Sequence, residues 1–182
     1  MTTSPNISGN KHRNFSSKAI TLNALLLSVS MLFSYVEFLI PLVPSIPGIK
    51  LGLANLIFLL LIYNSRIKEA IYINICRILL SGILFSGLFA IIFALAGAIF
   101  SMSIMLLLRK CRFFSIIGVS MAGAVAHNMG QLIIALFLVA TPKLFYIAPY
   151  LIISGCIMGI LLGFTCHILM MKLPKNILNK ES

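Results

Sequence analysis

The sequence predicts an all-α polytopic integral membrane protein, a bundle of six transmembrane helices with its N- and C-termini in the cytoplasm. Two observations carry this reading. The chain is 60% hydrophobic and 9% charged over 182 residues, with a mean hydropathy of +1.11; a water-soluble fold of that length needs far more polar surface. The formal net charge of +11 lies in short basic clusters between apolar runs. Membrane loops are charged in this way, and the pattern argues against a nucleic-acid-binding face. With the N-terminus inside, Lys11, Arg13, Lys18, Arg66, Lys68, Arg109, Lys110, Arg112, Lys172, Lys175 and Lys180 face the cytoplasm, and only Lys50 and Lys143 face outward. Arg77 falls within the membrane. The opposite orientation would reverse the positive-inside bias.

The segments follow in order. Residues 1–17 are polar and read as a disordered cytoplasmic tail, residues 18–172 as the membrane domain, and residues 173–182 as a second tail. The first apolar run is too long for a signal-peptide core and reads as a retained helix, about Lys18 to Ile40. Pro41, Pro44 and Pro47 follow it. They lack backbone N–H groups and push their predecessors out of the α region, so the chain must form an ordered loop here, a candidate lid. The second helix starts at Pro47 or Leu51 and ends near Tyr63. From Leu51 it measures roughly 20 Å, too short for a ~30 Å hydrocarbon core, so it uses the preceding turn, thins the membrane or sits partly inside the protein.

Ala70 to Leu108 contains one charge, Arg77. As a single helix it would be about 58 Å long, so it must be two spans. The two Gly and two Ser of Ser81–Gly87 mark the break. That gives a third helix over Ile67–Leu80 and a fourth over Leu88–Leu108. A fifth runs Phe113–Val139, ended by Thr141-Pro142, and a sixth Tyr146–Met171, ended by Pro174. Small residues form stripes: Ala90, Ala94, Gly97 and Ser101 on the fourth helix, Gly155, Gly159 and Gly163 on the sixth. Such stripes permit close backbone approach, either within the chain or to a docking partner.

Composition removes several chemistries. The chain has no Asp and three Glu, at 37, 69 and 181. It therefore cannot build an Asp-rich Mg²⁺–diphosphate site, a paired-carboxylate hydrolase or an Asp-containing triad by itself. It has no Gly-x-x-x-x-Gly-Lys-Ser/Thr run and no metal-ligand spacing, and no cofactor is expected. Cys76, Cys111, Cys156 and Cys166 form no C-x-x-C pair and read as small buried hydrophobes.

The candidate substrate-binding residues lie near the outer face. Glu37 is about one turn from the outer end of its helix, as is Arg77, and Lys50 opens the second helix on the same side. Their summed charge of +1 favours an anionic or zwitterionic guest. The alternative is a structural Glu37–Arg77 pair, with Lys50 reaching to the headgroups. On the fifth helix His127 and Gln131 share a face one turn apart, with Asn128 displaced by about 100°. The three suit a cavity lining or interhelical hydrogen bonds. Asn55 and Asn74 are open to the same two readings.

At Ile46-Pro-Gly-Ile-Lys-Leu-Gly-Leu-Ala-Asn55 and at Gly118-Val-Ser-Met-Ala-Gly-Ala-Val-Ala-His-Asn-Met-Gly-Gln131 the sequence resembles a bacterial membrane family. That family is catalogued as heptaprenyl diphosphate synthase component I and also as Gx transporter proteins. The resemblance covers about Lys18 to Lys172. The family is similar in turn to the substrate-capture (S) subunits of energy-coupling-factor importers, which borrow a coupling subunit and ATPases. The resemblance implies an S-component-like bundle in the cytoplasmic membrane that captures a small, anionic, isoprenoid- or flavin-related compound at the outer face. The alternative it implies is a non-catalytic membrane subunit assisting a prenyl diphosphate synthase or a flavin- or quinone-linked extracellular electron-transfer system. In S subunits the first helix carries an Ala-x-x-x-Ala coupling site, whose nearest counterpart here is Ala24 and Ser28.

Overall fold

The structure is a computed structural model that describes residues 17–40, 52–111 and 113–172. Residues 1–16 and 173–182, the Pro41–Pro47 loop and Lys50 lie outside the described residues, and Ser17, expected in the first tail, opens the first helix. Among the described residues there are six α-helices: α1 (Ser17–Leu39), α2 (Leu53–Tyr63), α3 (Ile67–Ser81), α4 (Leu88–Lys110), α5 (Ile116–Val139) and α6 (Ala148–Lys172). Five of the helical stretches are long and apolar enough to cross a membrane; α2 is the shorter exception. The molecule is a multi-pass helical membrane bundle.

The 11 residues of α2 make a helix of roughly 16 Å. Of the three ways to accommodate so short a span, the fold uses burial inside the protein. Ala54 and the continuous run Leu56–Ile62 are buried, with Leu61 and Ile62 at 0% exposure. A helix that is apolar on every side belongs in a core. Here α1, α3 and α6 surround it, and Leu26, Ile73, Met105, Val119, Leu162 and Cys166 complete the cluster. Because α2 is packed mostly against protein, its length needs no match to the bilayer.

The flanking helices show the inverted pattern of a membrane protein. On α1 the small polar Ser30 and Ser34 are buried, while Leu25, Leu32 and Phe38 are exposed. Lipid tails are as apolar as these side chains, so leucine gains nothing by turning inward, whereas hydroxyls do. α1 and α3 run parallel. Arg66 Nη2 donates to Asn23 Oδ1 at 2.9 Å and Arg77 Nη1 donates to Ser34 Oγ at 3.1 Å, each pair 43 positions apart. α2 must return between them. The sharp turn after it uses Ser65 with φ 61°.

The α3–α4 break falls where the two glycines predict it. A π-helical turn over Gly82–Ser86 leads to Gly87, whose φ of 87° and ψ of 161° suit only a residue without Cβ. Gly87 N–H donates to Gly82 O at 2.8 Å, closing the turn. Phe85 packs between Tyr35 and Phe38 of α1, at ring-centroid distances of 5.6 Å and 5.4 Å. α5 starts at Ile116, three residues later than the sequence suggests. Ser115 caps it by accepting from Gly118 N at 3.2 Å.

α4, α5 and α6 form the most closely packed part of the bundle. The glycine stripe of α6 lies against α5, four residues forward for four back. A Cβ at Gly155 would stand 3.0 Å from Val125 Cα, and one at Gly163 would stand 2.7 Å from Ile117 Cα. Gly159 meets Met121 between them. The glycines offered for partner docking are therefore taken up within the chain, because their absent side chains are what lets the two backbones meet. The four cysteines are free, and Cys166 is buried, but Cys76 and Cys111 are exposed, which corrects the expectation that they are buried hydrophobes.

Candidate functional site: a buried arginine and the polar face of α5

Arg77 is 8% exposed on an otherwise apolar stretch of α3. An isolated guanidinium would be very costly there. Its Nε and Nη2 donate to Asn74 Oδ1 at 3.2 Å and 2.7 Å, and its Nη1 donates to Ser34 Oγ at 3.1 Å. Asn74 lies three residues earlier on α3, which places its amide beside the same guanidinium. Glu37, three residues beyond Ser34 on α1, acts electrostatically on Arg77. The structure thus gathers Glu37, Ser34, Asn74 and Arg77 at one crossing of α1 and α3. Sequence reasoning named Glu37 and Arg77, left Asn74 open and missed Ser34. The available signal was Ser30 and Ser34 recurring one turn apart on a helix otherwise rich in Leu, Val and Phe.

α5 supplies the second group. Its small-residue faces bring it against both neighbours. A methyl group at Gly97 of α4 would stand 2.8 Å from His127 Cε1 and 2.9 Å from Gln131 Cγ. The missing Cβ is what admits both side chains. Asn128 turns the other way. Its Nδ2 donates to Leu151 O at 2.9 Å and to Ser154 Oγ at 3.4 Å on α6, so this member of the trio ties two helices together.

Helix register relates the two groups. Arg109 Nη2 donates to Ser65 Oγ at 3.3 Å at one end of the α3–α4 pair, and Gly82 meets Ile91 at the other. Equal steps inward along both helices from either contact bring Arg77 level with Ala96 or Gly97. Arg77 and the His127–Gln131 face therefore occupy nearly the same depth. α2 adds a third feature. Measured from the Asn64–Arg66 turn, its first residue and Arg77 both lie roughly 16 Å along their helices. α2 thus begins in mid-bundle, with Gly52 (φ 72°) before it and Asn55 in its first turn, where Asn55 N donates to Gly52 O at 2.8 Å. Helix starts at membrane depth occur where the backbone is buried in protein or lines a cavity.

Ala24 and Ser28 are exposed on the outer surface of α1, and Ser28 Oγ donates to Ala24 O at 2.9 Å. A separate network lies at the basic end of the bundle. Arg66 is buried, donates to the half-buried Asn23 and lies 3.7 Å from Glu69, and Arg109 stacks over the Tyr63 ring at 5.8 Å.

No curated protein and no solved structure matches the chain. Residues 26–169 match the family model described as heptaprenyl diphosphate synthase component I, and the chain belongs to that family.

Proposed function

We infer that the chain is a substrate-binding, S-component-like transporter subunit of the cytoplasmic membrane that captures a small anionic compound, isoprenoid- or flavin-related, at the outer face. The observation that carries this reading is the placement of a buried Arg77 at the depth where α2 begins and where His127 and Gln131 meet Gly97. A guanidinium, amide groups and the N-terminal end of a helix are together suited to an anion. In this reading Arg77, Asn55, His127 and Gln131 line the site, and Lys50, outside the described residues, is a further candidate contact for the anion. Glu37 and Ser34 orient Arg77, and Asn128 supports the α5–α6 contact. Ala24 and Ser28, exposed on α1, would face a coupling subunit with its ATPases.

The test is ligand retention. Wild type, Lys50→Gln, His127→Ala and Gln131→Ala are purified and compared for melting temperature and co-purified small molecules by mass spectrometry. Loss of ligand, with melting close to that of ligand-free wild type, supports capture; the ligand-free reference is needed because a bound ligand stabilises the fold. Wild type holding nothing beyond lipid would remove the reading.

The family's description favours a second reading, in which the chain is an accessory to a prenyl diphosphate synthase. With no Asp of its own, it would supply membrane attachment while the partner supplies the Mg²⁺–diphosphate chemistry. Affinity purification that recovers a prenyl synthase and no ATPase would move this reading ahead.

A further inference from the structure

The two amides of α5 differ in a way the packing does not account for. Asn128 donates from its Nδ2 to two α6 acceptors. Gln131 is just as buried, at 8% exposure, yet among the described residues its Oε1 has no hydrogen-bond partner. A buried acceptor left without a donor destabilises the fold, so one that persists calls for an explanation. Its surroundings supply one. Gly97 makes the room for it, since a methyl there would stand 2.9 Å from Gln131 Cγ, and helix register sets Gly97 at nearly the depth of Arg77. An unpaired carbonyl oxygen and a buried cation therefore share one depth of the bundle.

Resting on the capture reading above, we propose that Gln131 is the specificity-determining residue of the site. Its side-chain carbonyl accepts a hydrogen bond from an N–H or O–H group of the guest. The guest is then an anion that also carries a donor, and not a prenyl diphosphate. Above the second ionisation of a phosphate, near pH ~6, every polar oxygen of a prenyl diphosphate accepts and none donates. A site built to receive a donor rejects an analogue that lacks one, because its own buried group is then left unpaired.

The full chain in lipid nanodiscs is titrated at pH 8 with two probes: flavin mononucleotide, an anion with ring N–H and hydroxyl donors, and geranylgeranyl diphosphate, an anion with acceptors only. Wild type takes up flavin mononucleotide in preference. Gln131→Met weakens that binding about five- to tenfold, the loss of one ordinary hydrogen bond, and leaves geranylgeranyl diphosphate binding unchanged. Ligand-free Gln131→Met melts at or above ligand-free wild type, since it removes an unpaired acceptor. Gly97→Ala, which crowds Gln131 without altering its chemistry, shifts flavin mononucleotide affinity in the same direction. Preference for the prenyl diphosphate, equal weakening of both probes, or melting of Gln131→Met well below wild type would each overturn the assignment. Flavin mononucleotide binding that Gln131→Met leaves intact removes only the role of Gln131. Wild type binding neither probe removes the capture reading with it.

Discussion

Arg77 donates to Ser34 at 3.1 Å across the α3–α1 contact, 43 positions away in the chain, the same separation at which Arg66 meets Asn23. Two polar contacts thus set the relative height of two parallel helices. In lipid, where apolar side chains do not care which way they face, such contacts supply much of the register.

The Arg77 cluster should behave as one unit. Ser34→Ala removes one hydrogen bond and is expected to cost about 0.6–1 kcal/mol. Arg77→Gln and Glu37→Gln each leave a charge without its counterpart, so the double mutant should lose less than the sum of the two. The fraction of folded protein recovered in detergent measures this. Strictly additive losses would show that Glu37 and Arg77 are independent.

The α6 glycines should rank by what an added Cβ meets. At Gly159 it meets the backbone of Met121, and at Gly163 it would stand 2.7 Å from Ile117 Cα. At Gly118 it would stand 3.6 Å from the Ser115 hydroxyl. Gly159→Ala is therefore expected to lower the melting temperature most, Gly163→Ala and Gly155→Ala less, and Gly118→Ala least. Equal tolerance at Gly159 and Gly118 would contradict the close α5–α6 approach.

Burial of α2 predicts an asymmetry between two leucines. Leu61 is 0% exposed and Leu32 is 63% exposed. Leu61→Ala should destabilise by about 2–5 kcal/mol through a cavity that neighbours cannot fill. Leu32→Ala should change stability little, because lipid refills the space. Unfolding in a denaturing detergent series compares them directly, and similar losses would place α2 against lipid.

Topology is tested with single cysteines in a Cys-free background. Substitutions at Ser86 and Lys143 should react with a membrane-impermeant maleimide in intact cells, and those at Ser65 and Lys110 should not. Labelling of the second pair alone would invert the orientation inferred from charge.

Much of the fold was legible because hydropathy reports which segments leave water. The helix positions, the Ser81–Gly87 break and the end of α5 at Thr141-Pro142 all follow from apolar length and from Gly and Pro chemistry. The site was legible only in part. Arg77 stood out as a charge in an apolar run, and His127, Asn128 and Gln131 as a polar group on one helix. Nothing local separated Asn128, which holds α6, from Gln131, which does not.

The sequence by itself determined which segments are helices, where they stop and which side chains are too polar to face lipid. Only the tertiary structure decided that α2 is core, that the glycine stripe of α6 is consumed by α5, and that Ser34 and Asn74 hold Arg77. The reason is physical. Transfer from water to lipid is a property of each segment and can be read along the chain. Once in lipid, helices choose neighbours by close packing and by satisfying a few polar groups, and those choices join residues tens of positions apart.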